Sequence, residues 1–184
     1  MRTLLTLMVM MVAGPVSAQT WAVDPAASGL GFQATVEGEA VNGQFKSWQA
    51  QITFDPDAPK SCQIVVTIDM ASVDTGNSTR DAMLPGNDWF HIKAHPQAAF
   101  VAKRCEKTGA GRYVAKGALS LRGVTRPVDL PFQLEIDGDL AHMSGQVVLD
   151  RREFGVGQGE WQSTDTVAAS VRITPTVTAR RIKF

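Results

Sequence analysis

The sequence predicts an all-β protein that closes into an eight-stranded antiparallel barrel with a short helical crossover over about 77–97. Three observations carry that expectation. Apolar residues fall on every second position through most of the chain, as in Leu30, Phe32, Ala34 and Val36, or Val128, Leu130, Phe132, Leu134 and Ile136. That period marks strands with one buried and one wet face. Gly and Pro punctuate the runs at turn-like spacing. The alternation stops in one place, Ser78 to Phe100, and a long crossover in an all-β chain covers an open end, an edge or a pocket mouth.

Eight strands are expected near residues 28–37, 43–55, 62–70, 98–106, 112–123, 127–137, 140–151 and 165–178. Asp55-Pro56-Asp57 ends the second, Gly109-Ala110-Gly111 precedes the fifth, and Asp137-Gly138-Asp139 is a strong short-hairpin signal between the sixth and seventh. This spacing suits a sandwich or an up-and-down barrel; long strands joined by sequential hairpins favour the barrel. Inward positions would carry Phe32, Phe45, Trp48, Ile52 and Phe54, then Leu119, Leu121, Leu130, Phe132 and Leu134, then Val147, Leu149, Val167, Val171 and Ile173. Trp21 and Trp161 fall outside the regular patterns and are expected at the barrel ends. Within the crossover, Ser78 is expected to cap a helix, with Asp81 three residues on in a shortened capping box. Pro85-Gly86 then breaks the chain before the apolar knot of Trp89 and Phe90.

Residues 1–18 read as a cleaved export leader: Arg2, the apolar run Leu4 to Val12, and small residues Val16-Ser17-Ala18. Residues 19–184 would then form one domain large enough for its own core. No cysteine sits at the cleavage point to carry a lipid anchor, so a soluble chain released into a bacterial periplasm is expected. Basic and acidic side chains number 18 each, which gives no electrostatic reason to bind nucleic acid or an anionic membrane.

Export makes a disulfide the natural reading of the two cysteines. Cys62 opens one strand pattern and Cys105 closes another, so antiparallel pairing through the crossover sets them side by side. Cys105 has the parity opposite to Phe100, and a bulge near Lys103 is needed to turn it inward.

Catalytic signals are lacking. The sequence has no nucleophile motif, no phosphate loop and no metal-ligand spacing around either cysteine. His91 and His95 are four apart, but Pro96 argues against a regular helix there, and His142 lies on a wet strand face. No catalytic residue, metal or cofactor is expected. Arg80 with Asp81, and Arg151 with Arg152 and Glu153 beside Gly155 and Gly157, read mainly as ties within loops. Arg80, Asp81 and Arg152 are the candidates for contacting a head group at the mouth.

Four segments, in order, resemble the signature of the YceI-like family, exported proteins described as polyisoprenoid-binding. They are Asn42-Gly43-Gln44-Phe45 leading to Ile52-Thr53-Phe54-Asp55; Arg80-Asp81 with Leu84, Asp88-Trp89-Phe90, Pro96 and Phe100; Gly117 to Thr125 followed by Pro127-Val128; and Arg151 to Gly157. Ser120 stands where the family usually has Thr, and Trp89 where Phe is usual. The resemblance implies a lipocalin-like barrel whose apolar tunnel holds the tail of an isoprenoid lipid, of quinone or polyprenyl type. The tunnel wall would draw on Phe32, Phe45, Trp48, Ile52 and Phe54; on Leu84, Trp89, Phe90 and Phe100; and on Leu119, Leu121, Phe132, Leu134, Val147 and Phe154. It also suggests a membrane b-type cytochrome as partner to a monomer or homodimer. Two rivals stand beside the carrier: a filled barrel acting through its surface on such a cytochrome, and a lipid isomerase or cyclase, which would need a titratable residue facing inward.

Overall fold

The computed structural model describes residues 19–183; the leader expected over residues 1–18 lies outside them. The described chain is a closed eight-stranded antiparallel barrel. Its strands are β1 (Thr20–Val23), β2 (Gly29–Val36), β3 (Glu39–Phe45), β4 (Trp48–Thr53), β5 (Gln63–Asp69), β6 (Val73–Asp74), β7 (Gln97–Gly109), β8 (Arg112–Leu121), β9 (Val124–Asp137), β10 (Leu140–Gly145), β11 (Val147–Asp150) and β12 (Ser170–Arg181). Closure runs β1, β4, β5, β7, β8, β9, β10, β12 and back to β1. Every pairing is antiparallel, as short hairpin connections require.

Two expected strands are each broken in two, and β1 stands where no strand was expected. β1 and β2 lie along the same side of β12, separated by a 3₁₀ turn at Pro25–Ala27. β3 and β4 are split at Lys46-Ser47, and β10 and β11 at Gln146. Trp21, expected outside the strand patterns, belongs to β1: it is paired with Arg181 and Ile52, and its indole N–H donates to the Phe54 carbonyl at 2.9 Å. The last strand begins at Ser170 rather than 165, because residues 151–167 form a loop of 3₁₀ turns.

Two-residue turns set the registers. Asp137 pairs with Leu140 across Gly138-Asp139, as the hairpin signal predicts. Arg122 and Gly123, both at positive φ (50° and 76°), join β8 to β9 in the mirror-image turn that matches strand twist. Cys62 and Cys105 are bonded and almost wholly buried. The register of β7 on β8 slips between Ala102 and Arg104, so the bulge at Lys103 switches the inward parity from Phe100 and Ala102 to Cys105.

The crossover runs from Met70 to Pro96, and its base is closed by the Met70 N–H donating to the Pro96 carbonyl at 3.0 Å. Its one α-helix, α1 (Ser78–Met83), is capped a residue earlier than the sequence suggests: the Asn77 side chain, not Ser78, accepts from the Arg80 N–H at 3.0 Å. Asp81 instead accepts from the backbone and hydroxyl of Thr75, at 2.9 and 2.6 Å.

Candidate ligand-binding site

The barrel encloses a cavity of about 270 Å³, close to the lower end of small-ligand sites at roughly 300–1,000 Å³. Strand alternation turns Phe32, Ile52, Phe100, Leu119, Leu121, Phe132, Leu134 and Val147 onto it. Phe45 and Trp48 have opposite parity in sequence, yet both line the cavity because the chain breaks between them at Lys46-Ser47. Phe54 lines the same space from the end of β4, Leu84, Trp89 and Phe90 from the crossover, and Phe154 from the 151–167 loop. Six alanines on the wall (34, 50, 98, 115, 141 and 179) add little bulk between these large side chains.

An aromatic cluster packs at one end of the cavity. Phe54 meets Tyr113 and Phe132 edge-on at 5.1 and 5.9 Å, and Tyr113 stacks on Phe132 at 5.5 Å. At the other end two loops are fastened together. Gly157 and Gln158 donate their N–H groups to the Asp88 carbonyl at 2.8 and 2.7 Å. Trp89 packs on Trp161 at 5.4 Å, and Arg122 from the β8–β9 turn donates to the Asn87 carbonyl at 2.6 Å.

Among the described residues Arg151 is the only charged side chain on the cavity wall, and sequence reasoning missed it there. Its exposure is 4%. The guanidinium donates only to backbone carbonyls: Ala168, Val156, Gly157, Trp161, Ser163 and Val167, at 2.7 to 3.4 Å. No carboxylate pairs with it among the described residues. Burial, and to a lesser degree the charge of Arg152, lowers its proton affinity, with Asp150 opposing. A signal did exist. The inward parity of Val147 and Leu149 carries on to 151 and leaves 152 outside.

The three polar candidates are not on the cavity. Arg152 folds back on Asp150, with Nη2 to Oδ2 at 2.6 Å, and this hydrogen bond holds the Asp150 carboxyl below its ordinary range. Arg80 donates through Nε to Thr75 Oγ1 at 2.8 Å. Asp81 is held by Thr75 as described. Gly155 and Gly157 take the positive φ that their turns need, 67° and 84°. His91 and His95 touch, with ring centroids 5.6 Å apart, but no cluster of three metal-ligating side chains occurs among the described residues.

Comparison with known proteins agrees with this geometry. A model of the YceI-like domain matches residues 21–179. The UPF0312 protein plu2095 of Photorhabdus laumondii is 38% identical over 96 residues, 52% of this chain; the chain spans about half the length of that curated relative. Among solved structures, BcnA of Burkholderia cenocepacia superposes with a TM-score of 0.82 at 32% identity, covering 85% of this chain and 98% of that one. The Campylobacter jejuni YCEI protein gives 0.68 at 30% identity over 78% of this chain and 86% of its own. A Saccharophagus degradans domain described as polyisoprenoid binding gives 0.71 at 12% identity, over 89% and 99%, a likeness of fold alone. Motifs, barrel and match across the chain together place this protein in the YceI-like family.

Proposed function

We propose that this chain is an exported carrier that sequesters the tail of a long-chain isoprenoid lipid, of quinone or polyprenyl type, inside the barrel. The observation that carries the reading is the lumen itself: about 270 Å³, walled by apolar side chains apart from Arg151. Removing about 400 Å² of apolar tail from water yields on the order of 10 kcal/mol gross, and ordering the tail takes back a large part. Such a site selects for apolar length more than for chemistry. The description of the S. degradans relative as polyisoprenoid binding supports the same class of ligand. A buried disulfide supports an oxidising compartment, and the periplasm is the one proposed.

The wall supports binding as the reading over catalysis. No His, Asp, Glu or Cys lines the cavity among the described residues, so no general acid or base faces a bound lipid. Arg151 has its N–H groups directed at carbonyls. An open lumen also weighs against the filled-barrel rival. The test is native mass spectrometry of the exported, detergent-free protein with solvent extraction of whatever dissociates. A discrete added mass that resolves to a prenyl lipid is expected. A bare chain that takes up neither quinones nor polyprenyl lipids after incubation overturns the reading.

A further inference from the structure

A lipid needs a way into the barrel, and the side wall has a gap. β1 pairs with β4 only at Thr20–Thr53 and Trp21–Ile52, whereas β2 pairs with β3 from Gly31–Gln44 onward. Between those ladders, residues 22–30 on one lip and 45–51 on the other make no ladder pair with each other. The lips diverge because each follows a different partner. Gln44 pairs with Gly31 on one side and Asp74 of β6 on the other, Phe45 goes on to pair with Val73 of β6, and Trp48 to Thr53 stay on β5.

A groove of about 400 Å³ lies along this seam, lined by Val23, Pro25, Ser28 and Gly29 on one side and by residues 44–46 and 48–50 on the other. Phe45, Trp48 and Ala50 line both the groove and the lumen. Only side chains, and no hydrogen-bonded strand pair, therefore separate the two spaces there. The groove differs from the lumen in kind, since Gln44, Lys46 and Gln49 bring exposed polar groups to it. Its charge is balanced: Lys46 Nζ lies 2.7 Å from Asp74 Oδ2.

We propose that this seam is the lipid's doorway and the seat of its head group. The tail enters past Phe45, Trp48 and Ala50, and a neutral, oxygen-bearing head group stays in the groove beside Gln44, Lys46 and Gln49. This rests on the carrier reading above. Amide and ammonium N–H groups suit carbonyl, ether or hydroxyl oxygens. With Lys46 already neutralised by Asp74, the groove offers no uncompensated cation to a phosphate or diphosphate.

The experiment is photolabelling of the intact, delipidated protein with a farnesyl ether of hydroxybenzophenone, followed by peptide mass mapping. A farnesyl diphosphate carrying a benzophenone on its terminal phosphate serves as the charged counterpart. Labels on residues 23–29 and 44–50, with the neutral probe incorporated at least tenfold more than the charged one, are expected. Bound probe with labels confined to residues 84–96 and 151–167 overturns the seam while leaving the carrier intact, and so does equal or better incorporation of the charged probe. No added mass with either probe overturns the carrier, and the seam with it. Ala50→Phe, which narrows the shared wall, should slow uptake of the neutral probe about tenfold. Unchanged rates in a folded variant refute the doorway.

Discussion

Arg151 offers the sharpest test of how the looped end is built. Replacing it with Met keeps an unbranched apolar stem and removes every donor. Three of its carbonyl acceptors, those of Val156, Gly157 and Val167, lie in buried contacts. Leaving each without a donor costs about 1–3 kcal/mol, or roughly 6 kcal/mol together. Against that stands the relief of a guanidinium buried without a counter-charge, a penalty of several kcal/mol. The difference predicts a net loss of about 3 kcal/mol, carried mostly by the 151–167 loop. Arg151→Lys keeps the charge but not the planar fork, and should recover less than half of the loss.

Urea unfolding gives the global figure, and hydrogen exchange localises it. The amides of Gly157 and Gln158, which donate to the Asp88 carbonyl, should lose protection in Arg151→Met before those of β8 and β9 do. A stability change under about 1 kcal/mol with those two amides still protected would refute the argument, because it would mean the six contacts merely offset the burial they require.

Other perturbations follow from the same geometry. Replacing Cys62 and Cys105 together with Ala opens a separation of 43 residues and should cost about 4 kcal/mol by the chain-entropy argument; a urea midpoint within error of the parent contradicts it. At Gly43 an added Cβ would stand 2.3 Å from the Phe32 ring, so Gly43→Val should drive that ring into the lumen and reduce capture of a prenyl quinone at least tenfold, read by intrinsic Trp quenching. The Asp74 carboxyl is held below its ordinary value of 3.8, first by the hydrogen bond from Lys46 and then by the Gly76 N–H. Its stabilisation of the β3–β6 pairing is therefore complete above about pH 4 and lost as pH falls through the lowered value. Asp74→Asn should abolish that acid-side change in amide exchange at Phe45 and Val73, and an unaltered profile would exclude the pair as its cause.

Much of the barrel was legible because strand alternation is a local property that tertiary packing seldom overrides when one face is buried. Even the Lys103 bulge followed from sequence, since Cys105 has no other way to face Cys62. The short strand β1 and the break at 46–47 were not legible. They depend on which neighbour each short strand finds, and β3 finds β6, a two-residue strand that no periodicity announces. The same limit applies to Arg80, Asp81 and Arg152. Their composition suggests a mouth, but hydrogen bonds to Thr75 and Asp150 hold them in local turns.

Room inside the barrel is a different kind of unknown, and its signal lay in the small residues rather than the aromatic ones. An eight-stranded barrel is just wide enough for its side chains to fill it or to hold one small ligand. Large inward residues read the same in either case, so Phe32, Phe100 and Phe132 could not decide. Alanines could. Ala98, Ala115, Ala141 and Ala179 sit on inward positions and are at most 6% exposed. Because their side chains stop at Cβ, the wall there stays thin and the lumen keeps its width beyond it. Leu or Phe at those positions would add apolar burial and stability if a packed core were the only requirement. The lumen is therefore a property of the inward side chains, with the strand count only setting its limit, and replacing these alanines with Leu should fill the lumen, read as loss of prenyl-quinone uptake, before it disturbs amide protection in the ladder around them.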